Sequence, residues 1–217
     1  MKVALTGTRA EPFAENLRSE GFEVVHCPLI RIEPFDGPPV RVADYDWLVL
    51  TSRNAVECLF ARLEGGLPRV AAIGPGTAEA LRERGVEPAV IPRESTQEGL
   101  VAVLPEPVGR VLFAGAEGAR GVIAEELVAD VLPLYRSVEL RPNVFPGADV
   151  VVLASPSAAR ALAAVAPDKA CVAIGPITAG EARALGLAVA AEADSPTPED
   201  VTRAVKLAAS RSVSSRS

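Results

Sequence analysis

One pattern occurs twice in this sequence and limits the folds that the chain can adopt. The tripeptide Ile-Gly-Pro at residues 73–75 recurs at residues 174–176, 101 residues later. In both copies an apolar stretch typical of a buried strand comes first, and a threonine and a short helical pattern follow. Thr77 and Thr178 stand where a helix N-cap is expected, and backbone N–H groups at a helix N-terminus attract anions. The repeat therefore predicts two strand ends suited to hold negatively charged groups.

A longer repeat surrounds this pattern. Residues 46–52, DWLVLTS, resemble residues 149–155, DVVVLAS. Apolar strands, among them one expected at residues 89–91, alternate with helical stretches through both copies. Such alternation is typical of parallel sheets with right-handed crossovers. Residues 1–30 supply only a strand, a helix and a strand, too few for a sheet of their own, so we expect them to complete the sheet of the second copy.

The repeat therefore predicts an α/β fold of two flavodoxin-like parallel-sheet domains, the first of them discontinuous. The predicted bounds are residues 1–34 with 142–209 for domain 1 and residues 38–136 for domain 2, which is inserted into it. Proline-bearing stretches at residues 28–39 and 135–146 are expected to be extended crossings that join the domains. The polar tail, residues 210–217, is expected to be disordered.

Charge and hydropathy exclude several classes of protein. The formal net charge of −6 argues against general nucleic-acid binding. No apolar run reaches the ~20 residues that a membrane helix needs, and the stretch before the first strand is too short for a signal peptide. We therefore expect a cytoplasmic protein that contacts neither nucleic acid nor a membrane.

Cysteine and histidine are too sparse for several kinds of site. Cys27, Cys58 and Cys171 are far apart in the chain, and His26 is the only histidine. Neither a zinc site, a disulfide framework nor a histidine-based triad is therefore expected. No G-x-G-x-x-G or G-x-x-x-x-G-K-[ST] pattern follows a strand, which disfavours the alternative of a nucleotide-binding flavodoxin-like protein.

Six segments, in order and spread over nearly the whole chain, resemble the uroporphyrinogen-III synthase family. They are residues 50–56, 72–78, 131–136, 154–158, 173–179 and 195–198. The resemblance implies two α/β domains with a deep cleft between them. It also implies a hydro-lyase that closes the linear tetrapyrrole hydroxymethylbilane into uroporphyrinogen III, with loss of water and inversion of ring D. It implies no cofactor and no metal, a monomer, and transfer of the substrate from hydroxymethylbilane synthase.

The resemblance also implies roles for individual residues. Tyr135 matches the family's tyrosine in the returning crossing and is the candidate catalytic donor to the departing hydroxyl group; the alternative is a tyrosine that only packs at a hinge. Simple N-capping is the alternative for the threonines and serines. Arg120 is a weaker match. The residues that the resemblance implies for substrate binding are Thr77, Thr178, Ser52, Ser155, Arg53, Arg9, Gly74 and Gly175.

One departure from the family pattern affects Arg53. The family often has a proline followed by an arginine where this chain has Arg53 followed by Asn54. The arginine is therefore one position early, and its side chain either does the same work from there or does none of it. A different class of function is also open: a catalytically inactive tetrapyrrole-binding or regulatory module on the same fold.

Overall fold

A computed structural model of the chain describes residues 1–11 and 13–214. It divides into two compact units. Unit 1 consists of Met1–Arg31 together with the chain from Val138 onward, and unit 2 is Ile32–Ser137. In chain order the elements are β1 (Lys2–Leu5), α1 (Phe13–Ser19), β2 (Glu23–His26), β3 (Ile30–Pro34), β4 (Trp47–Leu50), α2 (Arg53–Phe60), β5 (Arg69–Ala72), α3 (Pro75–Arg82), α4 (Gln97–Val103), β6 (Val111–Ala116), α5 (Val122–Glu126), β7 (Asp130–Glu139), β8 (Val150–Leu153), α6 (Pro156–Val165), β9 (Cys171–Ala173), α7 (Pro176–Ala184), β10 (Val189–Glu192) and α8 (Pro198–Ser214).

The sheet of unit 1 has the strand order β10-β9-β8-β1-β2, and its strand pairs are parallel. Alternate residues of each strand enter opposite layers, as the pleat of a strand requires. Val3 packs with Leu17 of α1 and Val205 of α8, whereas Ala4 packs with Leu162 of α6 and Ala182 of α7. The sheet is thus covered by helices on both faces, and its strands are apolar on both sides.

The sheet of unit 2 has the strand order β3-β7-β6-β4-β5, with parallel pairing from β7 to β5. Leu48 of β4 packs in one layer with Leu59 of α2 and Leu81 of α3. Trp47 and Val49 face the other layer, which contains α4 and α5. The prediction of an α/β fold with parallel sheets is confirmed.

Both sheets reverse the direction of their strand order once, and this reversal marks where ligands bind in such folds. When the strands of unit 1 are numbered in chain order, its sheet has the order 2-1-3-4-5. The strands β4 to β7 of unit 2, numbered in the same way, have the order 2-1-3-4, and β3 is added beside β7. In open parallel sheets, ligands bind beyond the carboxyl ends of the strands on either side of the reversal. Those strands are β1 and β8 in unit 1, and β4 and β6 in unit 2.

The two proline-bearing stretches contain strands. β3 lies beside β7 in the sheet, and the backbone N–H of Phe35 donates to the carbonyl of Leu134 at 2.9 Å. The N–H of Leu140 donates to the carbonyl of Leu29 at 2.8 Å. The unit boundaries fall within these two strands, because β3 begins in unit 1 and ends in unit 2 while β7 does the reverse.

Two local predictions were wrong. The strand expected at residues 89–91 is reduced to a single bridge between Val90 and Ala71, because the prolines at 88 and 92 cannot donate to a ladder. The tail expected from residue 210 is helical as far as Ser214, where Arg211 donates to the carbonyl of Ala190 at 2.6 Å. Residues 215–217 lie outside the described part of the chain. Among the described helices, none is both long and apolar enough to cross a membrane.

Candidate active site

The hydroxyl group of Tyr135 is hydrogen-bonded to Ser52. Ser52 follows β4 and is the N-cap of α2, where its Oγ accepts the N–H of Ala55 at 3.0 Å. The same Oγ lies 2.9 Å from the Tyr135 hydroxyl. Tyr135 is on β7, and β6 lies between it and β4. Small residues of β6, Ala114 and Ala116, share an apolar cluster with the tyrosine ring, so the phenol can reach across that strand.

The surroundings of Tyr135 keep its phenol neutral. The residue is 5% exposed, and this burial raises the pKa of Tyr135 above its ordinary value, while hydrogen bonds with Ser52 and Asn54 act in the opposite direction. The backbone N–H of Glu117 donates to the Tyr135 carbonyl at 2.7 Å and holds the strand there. At neutral pH Tyr135 is therefore a fixed side chain that still carries its proton.

Helix α3 begins at Pro75 and not at Thr77. Its N-cap is Gly74, no side chain caps it, and Pro75 supplies a first residue whose φ is already helical. The prediction that Thr77 is the cap is therefore wrong: Thr77 lies in the first turn and is 5% exposed. The first intrahelical bond runs from Ala78 N–H to Gly74 at 3.0 Å, so the N–H groups of Gly76 and Thr77 have no partner within the helix.

Gly74 is needed for its size. Its φ of −175° is extended backbone that any residue adopts. A Cβ built on Gly74, however, would lie 2.5 Å from Oγ and 3.0 Å from Cβ of Ser95. Ser95, in the loop before α4, thus packs directly on the backbone at the start of α3.

Unit 1 repeats this helix start. Gly175 is the N-cap of α7, Pro176 is its first residue, and Thr178 lies in the first turn with 4% exposure. The bond from Ala179 N–H to Gly175 is 3.0 Å. The prediction that Thr178 is the cap is therefore wrong for the same reason. A Cβ on Gly175 would meet nothing within 4 Å, so this glycine is not required by packing.

Three predicted binding residues of unit 1 follow neighbouring strands. Ser155 follows β8 and caps α6, where its Oγ accepts Ala158 N–H at 3.1 Å. Arg9 follows β1 and lines a shallow depression with Gly7 and Ala154. Gly175 follows β9, and the sheet order β9-β8-β1 brings all three to one carboxyl edge. This edge is at the reversal of strand order described above.

Arg53 is bound to two carboxylates of its own unit. It is the first residue of α2. Its guanidinium donates to Glu79 of α3 at 2.6 Å and to Glu83, the C-cap of α3, at 2.7 Å. The Arg53 side chain is 26% exposed. The predicted site residues divide between the two units. Unit 2 contains Ser52, Arg53, Gly74, Thr77 and Tyr135, and unit 1 contains Arg9, Ser155, Gly175 and Thr178.

Arg120 is also engaged by a carboxylate. Its two Nη atoms donate to Glu98 of α4 at 2.6 and 3.0 Å. Hydrogen bonds from Arg120 are the main cause that lowers the pKa of Glu98 to about 2. Arg120 lies in the loop after β6 and Glu98 in the first turn of α4, so the pair ties that loop to the helix.

Sequence reasoning missed several partners of the predicted residues. Asn54 was noted only as a departure from the family pattern, and no role was predicted for Glu79, Glu83 or Ser95. Each of the four nevertheless lies against a predicted site residue. The i, i+4 spacing of the two glutamates puts them on one face of α3 and was the one signal available. Within the described residues, no group of three or more His, Cys, Asp and Glu side chains is arranged to hold a metal ion.

Comparison with known proteins decides the family. The family model described as uroporphyrinogen-III synthase HemD matches residues 11–203. The chain belongs to the uroporphyrinogen-III synthase family. The resemblance seen in the six segments is thereby confirmed. A curated relative from Synechococcus elongatus, named uroporphyrinogen-III synthase, is 36% identical in a match that covers 59% of this chain and 57% of that protein. The match thus spans little more than half of that family member.

Solved structures of the uroporphyrinogen-III synthase family have the same fold. A mutant uroporphyrinogen III synthase from the extremely thermophilic bacterium Thermus thermophilus is 16% identical, with a TM-score of 0.65 over 97% of this chain and 99% of that chain. Uroporphyrinogen-III synthetase from Helicobacter pylori is also 16% identical, with a TM-score of 0.67 over 96% and 98% of the two chains. At such low identity the likeness establishes the fold alone.

Proposed function

We propose that this protein is an active uroporphyrinogen-III synthase. It would cyclise hydroxymethylbilane to uroporphyrinogen III with loss of water and inversion of ring D, which is the chemistry of a cyclising hydro-lyase. The observation that carries the proposal is the buried Tyr135 hydroxyl, held 2.9 Å from Ser52 Oγ beyond the end of β4, in a chain whose residues 11–203 match the family. No cofactor or metal takes part in the proposed reaction.

Tyr135 serves the first step. The nitrogen of the pyrrole ring that bears the hydroxymethyl group, at the end of the bilane opposite ring D, pushes electrons toward the hydroxymethyl carbon. The C–O bond breaks, and the departing oxygen takes the phenol proton and leaves as water. A phenol whose pKa is raised by burial still carries that proton at neutral pH. Ser52 orients the phenol, and a hydrogen bond donated by Ser52 would stabilise the phenolate that remains.

The later steps depend on geometry more than on acids and bases. Ring D attacks through its substituted carbon to form a spiro intermediate, which fragments and closes again at the other position. The proton lost when the ring regains its aromaticity restores the phenol, so the net products are uroporphyrinogen III and water. Without a protein surface the bilane closes without inversion, so the protein must bind the folded, inverting geometry more tightly than the direct one.

The eight carboxylates of the substrate provide the means of holding that geometry. We assign them to the helix starts, where unpaired N–H groups and hydroxyls favour anions. In unit 2 these are the N–H groups of Gly76 and Thr77 beyond Gly74. In unit 1 the corresponding contacts come from residues of the carboxyl edge: Arg9, Ser155, Gly175 and Thr178.

The experiment that tests this function is a coupled assay. Hydroxymethylbilane is generated in situ, the protein is added, and the oxidised products are separated into type I and type III isomers. Mostly type III is the expected result. Only type I in the presence of folded protein would overturn the proposal and favour a tetrapyrrole-binding or regulatory module.

We extend the proposal to the setting of the reaction. All three cysteines lie in the described part of the chain and are free thiols, which suits a reducing compartment such as the cytoplasm. The enzyme would act as a monomer of 22.6 kDa and take its unstable substrate from hydroxymethylbilane synthase. Light scattering after size exclusion measures the mass, and a second mass at twice that value would contradict the monomer.

A further inference from the structure

We propose that Arg53 is a positioning residue: by clamping α2 to α3 it holds Ser52 against Tyr135, and it does not bind the substrate. The guanidinium reaches Glu79 at 2.6 Å and Glu83 at 2.7 Å. Arg53 directly follows Ser52 in the chain, so whatever fixes the first residue of α2 also fixes the direction of the cap before it. The kinetic part of the inference rests on the proposed function, and the structural part does not.

The geometry of the contact is that of a clamp. Glu79 and Glu83, the C-cap of α3, are one helical turn apart, so the planar guanidinium is held at two heights of the same helix face. A single exposed ion pair does little to fix the positions of its two partners. One arginine bound to two carboxylates, by contrast, restricts both the distance and the tilt between two helices. The Arg53 side chain is 26% exposed, less than either glutamate.

The charge of the cluster argues against substrate binding by Arg53. One arginine and two glutamates together carry more negative than positive charge. A carboxylate of the substrate would have to displace two carboxylates that are already in place and would meet both of them unpaired. The start of α3, at Gly76 and Thr77, attracts anions better than this cluster does.

Unit 1 contains the same kind of contact built from a different position. Arg160 of α6 donates to Glu181 of α7 at 2.9 Å, and also to Glu139 at 2.9 Å. Arg53 is the first residue of its helix, whereas Arg160 is the fifth residue of its helix. In both units an arginine of the serine-capped helix therefore binds a glutamate of the Gly-Pro helix, although the repeat does not align the two arginines. A contact that recurs without alignment points to a geometric requirement.

The decisive variant is the double substitution Glu79→Ala/Glu83→Ala in the full chain. Both side chains are more than half exposed, and alanine favours a helix, so the protein should fold. If Arg53 positions Ser52, the double variant lowers kcat about tenfold with KM changed less than about twofold, and Arg53→Gln does the same. The triple variant should be no worse than the double one. If Arg53 binds substrate, freeing it from the glutamates lowers KM and leaves kcat unchanged, which would overturn the inference.

A second readout does not depend on turnover. In a Tyr45→Phe background Tyr135 is the only tyrosine, and its ionisation can be followed by ultraviolet absorbance. Removing two negative charges should lower the pKa of Tyr135 by electrostatics alone, but loss of the Ser52 hydrogen bond should raise it. The same two substitutions in a Ser52→Ala background show the electrostatic effect alone. We expect the double variant to titrate higher relative to its parent when Ser52 is present than when it is absent. Equal shifts in the two backgrounds would refute the clamp even if type III product is never formed.

The matched control is the neighbouring pair of Arg82 and Glu87. Arg82, the last residue of α3, donates to Glu87 at 2.7 and 2.9 Å, and neither residue contacts α2 in these bonds. Glu87→Ala removes a negative charge of the same kind and measures its general effect on a polycarboxylate substrate. Its kcat and its Tyr135 midpoint should equal those of the parent, and an effect as large as that of the double variant would overturn the positioning role.

Discussion

The Tyr135 hydroxyl and Ser52 Oγ are 2.9 Å apart although 83 positions separate the two residues in the chain. The bond joins the cap of the first helix of unit 2 to the last long strand of its sheet, across the strand between them. It makes one serine both a structural cap and the partner of the candidate proton donor. Variants of these two residues therefore separate stability from catalysis.

Tyr135→Phe should abolish most turnover while the protein stays folded. The ring and its packing remain, so the loss of one hydrogen bond should cost about 1 kcal/mol of unfolding free energy. Loss of a positioned proton donor should lower kcat about 10²-fold or more. The type III assay measures the rate and urea denaturation the stability. Tyr45→Phe, which removes a hydrogen bond to Asp130, is the control and should keep full turnover; a fully active Tyr135→Phe variant would remove this residue from the mechanism.

Ser52→Ala and Ser155→Ala should differ, although both remove a helix cap. Each loses a bond to the third residue of its helix, which costs about 1 kcal/mol. Ser52→Ala also removes the hydrogen bond between Ser52 and the buried phenol, for a total of about 2 kcal/mol. Because the bond with Ser52 lowers the pKa of Tyr135, its loss should raise that pKa further. Absorbance titration in a Tyr45→Phe background should show the rise for Ser52→Ala and none for Ser155→Ala; equal midpoints would contradict the hydrogen bond.

Glu98 should make stability depend on pH in the acid range. Arg120 lowers the pKa of Glu98 to about 2 in the folded protein, whereas an unfolded chain has a value of about 4.3. The folded state thus binds this proton less readily, so the ion pair stabilises the protein above pH ~4.3 and is lost as pH falls through ~2. The difference in urea midpoint between parent and Glu98→Gln should shrink over that range. In an Arg120→Met background the difference should vary less, because only the backbone hydrogen bond of Glu98 then lowers its pKa.

Val128→Gly should stabilise the protein. Val128 follows α5 with φ 48° and is 90% exposed, which is a left-handed helix end where glycine is favoured and a β-branched residue is strained. Relief of that strain, less the entropy of glycine, should add about 0.5–1 kcal/mol. Thermal denaturation measures the gain. Val131→Gly, in the strand β7, should destabilise instead, and a loss of stability at both positions would refute the argument.

Gly74→Ala should be more damaging than Gly175→Ala. At Gly74 the new methyl group would lie 2.5 Å from Ser95 Oγ, whereas at Gly175 it would meet nothing within 4 Å. We expect the Gly74 variant to lose stability and type III activity, because the start of α3 must move, and the Gly175 variant to keep its fold. Adding Ser95→Gly to Gly74→Ala should restore part of the loss. No recovery in the double variant would mean that Gly74 is needed for another reason.

Local patterns predicted the elements well because the information they need lies within a few residues. Strand periodicity and Gly-Pro breaks placed nearly every strand and helix. The strand expected at residues 89–91 failed because flanking prolines outweighed its apolar composition. The caps of α3 and α7 were misplaced because threonine, a good cap, was preferred over a glycine followed by proline. The cap is the residue before the first helical φ. Pro75 and Pro176 already have a helical φ, so the glycine before each of them is the cap.

Partners of the candidate site residues were not predictable in the same way. The sequence favoured both Tyr135 and Ser52 but did not join them, because a bond across an intervening strand depends on strand order. Arg53 was expected at a substrate carboxylate, and the structure places it on two glutamates. Sequence alone does not reveal which anion an arginine contacts. The sequence shows that Arg53 has a long, positively charged side chain. Which carboxylates it contacts depends on how α2 packs against α3.

The order of strands in unit 1 has a consequence for synthesis. Thr6, which directly follows the interior strand β1, donates its hydroxyl to the carbonyl of Val152, 146 residues later. β1 therefore lacks its neighbour β8 until residues 150–153 have been synthesised, long after its other neighbour β2. Unit 2 is one uninterrupted segment and can complete its sheet in the meantime. Until then β1 has only β2 beside it, so one edge of an apolar strand stays open while a whole unit folds, and this interval is when chaperones would most readily bind it.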